Sequence, residues 1–294
     1  MSSKPRHLSL IAAVKAPAPL AHPAAESDPL WRKLLEETQD AFEREPDLGL
    51  LLRRTILDRD AFEEAVAHRV AGRLANDFVT AAQIAAVFED ALEDDRSIAE
   101  SFRADISAVI DRDPACDRFI EPFLYFKGYH ALQTHRLAHW LWRRGQTDLA
   151  LYLQSRSSDV FQTDIHPAAR IGKGVFLDHA TGFVVGATAT IDDDVSILQN
   201  VTLGGTGKES GDRHPKVKRG VMIGAGAKIL GNIEIGEFSR IAAGSVVLHP
   251  VPARATVAGV PAKVVNLAKT AGEPFRDMDQ QLSQLAYDSF TYAI

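Results

Sequence analysis

Apolar residues recur every six positions through the second half of this chain. Ile165, Ile171, Leu177, Phe183, Ala189, Val195 and Val201 keep one beat, and Ile223, Ile229, Ile235, Ile241 and Val247 take it up again. A helix of 3.6 residues per turn cannot hold a six-residue period, and a half-buried strand alternates with period two. Hexads predict a parallel β-helix instead, in which each repeat supplies a short strand and a turn; about three repeats close one triangular coil, and about five coils fit between Ile165 and Ala262. Glycines such as Gly172, Gly174, Gly186, Gly226 and Gly244 fall at the turns. The beat breaks between Val201 and Val221, across GGTGKESGDRHPKVKRG. That stretch is too polar to line a narrow apolar core, so it predicts a loop extruded from a rigid scaffold, where function tends to concentrate.

Upstream, from Asp28 to about Phe161, the spacing is helical. Trp31, Leu34, Leu35 and Thr38 share one face of a helix that Ser27 or Asp28 can cap, and Asp60 opens another through Phe62, Ala65, Val66 and Val70. Amphipathic stretches follow at Thr80 to Glu93 and Ser97 to Val109; Pro114 in RDPAC then breaks the pattern before the aromatic-rich run Phe119 to Leu153. The expected organisation is α+β: an extension over 1–26, an α-helical domain over 27–161, a β-helix over 162–265, and a flexible, aperiodic tail over 266–294.

Composition narrows the function. Of 294 residues, 46% are hydrophobic and 24% charged, as in an ordinary soluble globular chain, and a net charge of -6 argues against nucleic acid or a membrane surface as the main partner. Cys116 is the lone cysteine, so no intramolecular disulfide forms, and its expected role is apolar packing. No apolar run reaches the length of a membrane span. The first 25 residues carry Lys4, Arg6 and Lys15 and no acid, as a targeting peptide would, but the apolar stretch ends in Lys15 and not in a cleavage motif. A disordered extension on a cytoplasmic protein is the expectation.

A β-helix coil is too narrow to enclose an active site, so chemistry belongs on its outside, in grooves between subunits or where a loop leans on the coil. The polar residues interrupting the beat are therefore the candidates: Asp164 and His166, Asp178 and His179 in LDHATG, and Arg213 and His214 in the extruded loop. His179 lies two residues beyond the inward Leu177, with small Ala180, Thr181 and Gly182 after it to leave room for a ligand. A carboxylate that fixes its tautomer would make it an effective general base, and Asp164, on the adjacent coil, is a suitable partner. Spacing alone favours, if anything, a turn histidine making a structural hydrogen bond. Arg213 and His214, among Lys208, Lys216, Lys218 and Arg219, read as an anion clamp or as a solvated charged loop. GGTGK is too short for a nucleotide P-loop, and HRLAH (His135, His139) lacks the glutamate of the helical zinc motif. Zinc shared by His166, His179 and His214 across an interface is the remaining metal alternative.

The run FLYFKGYHALQTHRLAHWLW, then DIHPAARIGKGVFLDHATGFVVG, the extruded loop with GDRHPK, and AGVPAKVV together resemble bacterial serine O-acetyltransferases of the hexapeptide-repeat acyltransferase superfamily, closely from about Asp113 to Val265. The resemblance implies a left-handed β-helix, with no permanently bound cofactor, acetyl-CoA as co-substrate and L-serine as acceptor. It implies that His179 is the base and Asp164 its partner, that Asp113 and Asp178 hold the serine ammonium, and that Arg213 and His214 hold its carboxylate. Coenzyme A would lie past Gly205, Thr206, Gly224, Ala225, Ala243 and Gly244 toward Pro261 and Lys263. It further implies a hexamer of two trimers joined by the helical domain, inhibition by L-cysteine, and docking of O-acetylserine sulfhydrylase (cysteine synthase) through Ile294. The chain departs from many relatives in reading VVGAT, with Ala187 in place of Glu. Another acetyl acceptor, or a metal enzyme like the γ-carbonic anhydrases, are the alternatives.

Overall fold

The computed structural model describes residues 27–207, 210–267 and 272–280. The extension over 1–26, Lys208 and Ile294 lie outside the described residues. Helix α1 (Pro29–Arg44) is capped by Asp28, whose carboxylate accepts from the Trp31 amide. Short helical turns lead from it to α2 (Phe62–Leu74), which starts at Ala61 without a side-chain cap, so Asp60 does not play the opening role its position suggests. Helix α3 (Ala81–Asp94) opens on a capping box between Thr80 and Gln83. Then come α4 (Arg96–Arg112), α5 (Ile120–Leu124), α6 (Lys127–Arg143) and α7 (Thr147–Phe161). Trp31, Phe62, Phe88, Phe102, Phe123 and Phe161 fill their common core. No helix among the described residues is long and apolar enough to cross a membrane.

The hexads form the predicted parallel β-helix. Its first sheet has the order β1 (Thr163–Ile165), β4 (Phe183–Val185), β7 (Thr202–Gly204), β10 (Lys228–Leu230), β13 (Val246–Val247). The second is β2 (Arg170–Ile171), β5 (Thr190–Ile191), β8 (Lys216–Val217), β11 (Glu234–Ile235). The third is β3 (Phe176–Leu177), β6 (Ser196–Ile197), β9 (Met222–Ile223), β12 (Arg240–Ile241), β14 (Ala255–Gly259), closed by β15 (Ala262–Leu267), which pairs antiparallel with β14. Partners such as Ile223 and Ile241 stand 18 residues apart, three hexads to the coil.

Two coils are longer, and the excess locates the interruptions. Leu177 pairs with Ile197, 20 residues on, so two residues are inserted in the turn at 178–182 between the third and first sheets. Ile197 pairs with Ile223, 26 residues on, the excess being the loop between β7 and β8 at the corner of the first and second sheets. The first insertion does not show in the apolar beat, because Phe183 and Val185 both face the core.

Helix α6 welds the two domains. Leu132 joins the β-helix core, and buried Arg136 reaches the Ile171 and Gly172 carbonyls while pairing with Asp105 of α4 at 2.6 Å. Asp105 also accepts from the Val175 amide at 3.0 Å. The tail is not wholly free as expected. After β15, the short helix α8 (Pro274–Asp277) docks on the third sheet: Phe275 is buried under the Arg112 guanidinium at 4.6 Å, its carbonyl accepts from Ser196 Oγ, and Arg276 pairs with Asp111 at 2.8 Å. One apolar ring in a polar segment suffices to anchor it.

Candidate functional site

His179 occupies the turn carrying the two-residue insertion. His179 and Ala180 are consecutive non-glycine residues with positive φ, 54° and 59°, and Gly182 follows at 73°. Such backbone is sparsely populated for L-residues and persists only where the surroundings impose it. Ala180 is buried in the β-helix core, not left open as room for a ligand, and this pins the turn so that the neighbouring imidazole, 73% exposed, projects outward.

The carboxylate nearest His179 is Asp178, whose Oδ1 lies 3.7 Å from Nε2. Asp164, expected as the orienting partner, instead accepts from Gln154 Nε2 at 2.6 Å through Oδ1. It nevertheless stands close along the chain to the same corner, since the Gly182 amide donates to the Gln162 carbonyl at 2.8 Å. Asp113 ends α4, and its Oδ1 accepts from the Ala115 amide. It faces Asp178, whose carboxyl is raised above the usual range by burial foremost, opposed by His179 and reinforced by the Asp113 charge. A cation placed beside two such carboxylates would relieve both the burial of one and the repulsion between them.

Arg213 and His214 sit at a different corner, between the first and second sheets. His214 is buried, with its ring packed so tightly on Gly186 that a β-carbon there would stand 2.0 Å from Nε2. The Thr188 amide, at 3.2 Å, and the Thr188 hydroxyl, at 2.8 Å, both reach Nδ1. The same hydroxyl oxygen accepts from the Arg213 and His214 amides. Nδ1 is thereby an acceptor and the neutral ring carries its proton on Nε2. Burial, then Arg213 and Lys216, lower the His214 pKa, which keeps it neutral. The Arg213 stem packs over Gly205, where a β-carbon would lie 3.2 Å from Cδ. Ala187, the departure noted in VVGAT, lies between Gly186 and Thr188, the two residues that hold this ring, and nothing in the structure explains it.

Gly224 and Ala225 follow β9, and Ala243 and Gly244 follow β12, so both pairs line the His179 corner on higher coils; a β-carbon on Gly224 would meet the Ala243 amide at 2.6 Å. Pro261 and Lys263 lie at the β14–β15 hairpin beyond them. Gly205 and Thr206 do not share this track: they lie at the Arg213 corner. One chain thus presents two groups of candidate residues on neighbouring corners. Sequence reasoning missed Thr188 and Gln154, which support site side chains without any pattern of their own, and read Gly186 only as a turn glycine, not as the seat of His214. His166 accepts the Ala168 amide on Nδ1 and packs edge-on to Trp142, while His135 is buried and His139 bonds the Pro167 carbonyl. No three His, Cys, Asp or Glu side chains among the described residues are grouped to hold a metal ion. Cys116 is buried, with its thiol pushed up to about 11 by burial.

The profile "Serine acetyltransferase, N-terminal" matches residues 30–134, and "Bacterial transferase hexapeptide (six repeats)" matches 214–249. The serine acetyltransferase of Salmonella typhimurium is 50% identical over 270 residues, 92% of this chain and 98% of that protein. The crystal structure of the Brucella abortus serine acetyltransferase in complex with coenzyme A superposes with a TM-score of 0.82 at 57% identity, covering 83% of this chain and 98% of that one. A serine acetyltransferase in complex with cysteine gives 0.84 at 50% identity, over 86% of this chain and 98% of its own. With its helical domain, its left-handed hexapeptide β-helix and a relative half identical over nearly its whole length, the chain belongs to the serine acetyltransferase family.

Proposed function

We infer that the active site forms between copies of the chain, each supplying one corner. The activity is transfer of the acetyl group from acetyl-CoA to serine, giving O-acetylserine and coenzyme A. The observation carrying the proposed site is the separation of charge: Asp113, Asp178 and His179 on one corner, Arg213 and His214 on the next. Serine carries an ammonium and a carboxylate around one carbon. Its ammonium matches the carboxylate pair, and its carboxylate matches a guanidinium and an Nε2–H. Two copies that abut through the first sheet, where Val184 is exposed and Leu248 is exposed just past its last strand, would bring the corners together.

In this reading His179 takes the hydroxyl proton of serine as its oxygen attacks the thioester carbonyl of acetyl-CoA. The C–S bond then breaks, and the imidazolium returns the proton to the departing thiolate. Asp164, whose Oδ2 has no hydrogen bond among the described residues, would orient the imidazole once the exposed ring turns toward it. Coenzyme A would run up the His179 corner past Gly224, Ala225, Ala243 and Gly244 to Pro261 and Lys263, meeting Gly205 and Thr206 from the adjoining copy. Cysteine, sharing serine's ammonium and carboxylate, would compete at the same groups, as the cysteine complex of a relative suggests. Joining of trimers into a hexamer through the helices, and docking of O-acetylserine sulfhydrylase through Ile294, complete the proposal. Light scattering and deletion of Ile294 test these two; the deletion should abolish sulfhydrylase binding and leave acetylation intact.

The decisive test is complementation. His179→Ala and Arg213→Ala proteins are each expected to be nearly inactive. Refolded together one to one, they form interfaces with both half-sites intact in about a quarter of cases, so about that fraction of activity returns. No recovery despite verified mixed oligomers would place both half-sites within one chain's own site and end the shared-site reading.

A further inference from the structure

The turn that carries His179 is held from the side by the first residue of α6. The Lys127 ammonium donates to Thr181 Oγ1 and to Gln162 Oε1, the latter at 3.3 Å. An ammonium only donates, so the Thr181 hydroxyl oxygen receives it and the hydroxyl proton is left to point elsewhere. It points at the His179 carbonyl, 3.4 Å away, which also accepts from the Thr181 amide at 2.7 Å. Lys127 makes no ion pair among the described residues, and burial lowers its pKa. The next residue makes the contact close: a β-carbon on Gly128 would lie 1.9 Å from the Leu177 carbonyl oxygen. The start of α6 is thus pressed on the strand entering the turn, and its cation is fastened to the residue leaving the left-handed pair.

We propose that Lys127 is a positioning residue for serine acetylation, fixing the left-handed turn at His179–Ala180 through Thr181 so that the imidazole meets the serine hydroxyl at the right place. A partly buried cation spent on two neutral acceptors, with no carboxylate to neutralise it, has no comparable role in holding the domains together. The Asp105–Arg136 seam already does that. The proposal rests on His179 being the base. It assigns Lys127 no contact with either substrate.

The test compares Lys127→Met, Thr181→Val, their combination and Lys127→Arg in the full-length enzyme. Each single change should lower kcat by about 10- to 100-fold, the range expected from a displacement of about 1 Å at a catalytic group. KM for serine and acetyl-CoA should stay within about twofold, because the groups proposed to bind them are untouched. The double variant should be no worse than the poorer single one, since both changes cut the same chain of hydrogen bonds. Lys127→Arg should recover most of the rate, and the acid limb of the kcat/KM profile should not move. Multiplicative losses, a rise in KM with unchanged kcat, or a shifted acid limb would overturn the positioning role. Thr181 is exposed, so Thr181→Val reads the same link if Lys127→Met does not fold. His179→Ala separates the two layers of the argument: a variant that keeps turnover sinks the base assignment, whereas an inactive one beside a normal Lys127→Met sinks only the positioning role.

Discussion

Replacing Asp105 by Ala should damage this protein more than any surface change. Its carboxylate is fully buried at the seam between helices and β-helix, where Oδ2 accepts from Arg136 Nε at 3.1 Å, Arg136 Nη2 at 2.6 Å and Gln133 Nε2 at 3.1 Å, and Oδ1 from the Val175 amide at 3.0 Å. Alanine leaves the Arg136 guanidinium buried with only carbonyls and one amide oxygen for company. Breaking a buried pair from one side costs about 3–5 kcal/mol, chiefly through the stranded charge. At about 2–4 °C per kcal/mol for a domain of this size, the midpoint should fall by roughly 6–20 °C. Thermal unfolding followed by circular dichroism, at one fixed protomer concentration because assembly contributes to stability, measures it. The double change Asp105→Leu, Arg136→Met removes both charges and should be milder than the single one. A single variant within about 1 kcal/mol of the parent would refute the reasoning, as would a double variant as poor as the single.

Gly186→Ala should push the His214 ring off its seat, since the added carbon would stand 2.0 Å from Nε2. Loss of a hydrogen bond to a charged carboxylate is worth about 1.5–3 kcal/mol, so the serine KM should rise about 10- to 100-fold while that for acetyl-CoA holds, as steady-state kinetics would show. Stability should fall in mild acid. His130 is fully buried, with Nε2 donating to the Phe123 carbonyl at 2.7 Å, and burial lowers its pKa from 6.5 to about 3. The unfolded chain binds this proton first, so the stabilisation present above pH 6.5 drains away as pH falls toward 3, by about 2 kcal/mol at pH 5. Urea unfolding of His130→Gln at pH 7.5 and 5 should show that much less pH dependence than the parent, and an unchanged slope would refute it. Phe275→Ala should release the docked tail segment, detected as faster proteolysis there with acetylation retained.

How much was legible depended on whether a residue's role leaves a period. The hexad beat survives because each inward position has one geometric choice, so Ile223, Ile229, Ile235, Ile241 and Val247 all reach the core. The slip at the His179 turn was masked by chance of packing: counting six from Leu177 lands on Phe183, which is buried as well as Val185. His214 was visible as a charged-loop histidine, but the Thr188 hydroxyl that sets its tautomer was not, because a threonine in a polar turn carries no pattern. Asp164 was expected beside His179, but it stands on the outer face of β1 and accepts from Gln154, a partner that comes from a helix whose docking angle the sequence does not state. The tail strap was hidden for the same reason, one apolar anchor being too little to make a period.

The two insertions explain why a fold this regular can carry chemistry. An 18-residue coil repeats its corner geometry, so every corner side chain stands above another and each polar group competes for the same neighbours. Adding two residues at 178–182 makes room for the paired left-handed residues that throw the His179 imidazole outward while Ala180 anchors the turn. The longer excess before β8 lets the chain fold back so that His214 seats on Gly186 and the Arg213 stem on Gly205. These interruptions fall at successive corners of one prism, which is the arrangement the proposed sharing of a site between copies starts from. In the proposed shared site, assembly around the first sheet would supply the missing half, so a change that weakens association without touching any candidate site residue should lower activity in proportion to the dissociated fraction. Activity measured across a dilution series for Val184→Lys, on the exposed face of that sheet, would show this as a concentration dependence the parent lacks. A rate per protomer constant through verified dissociation would mean that one chain suffices.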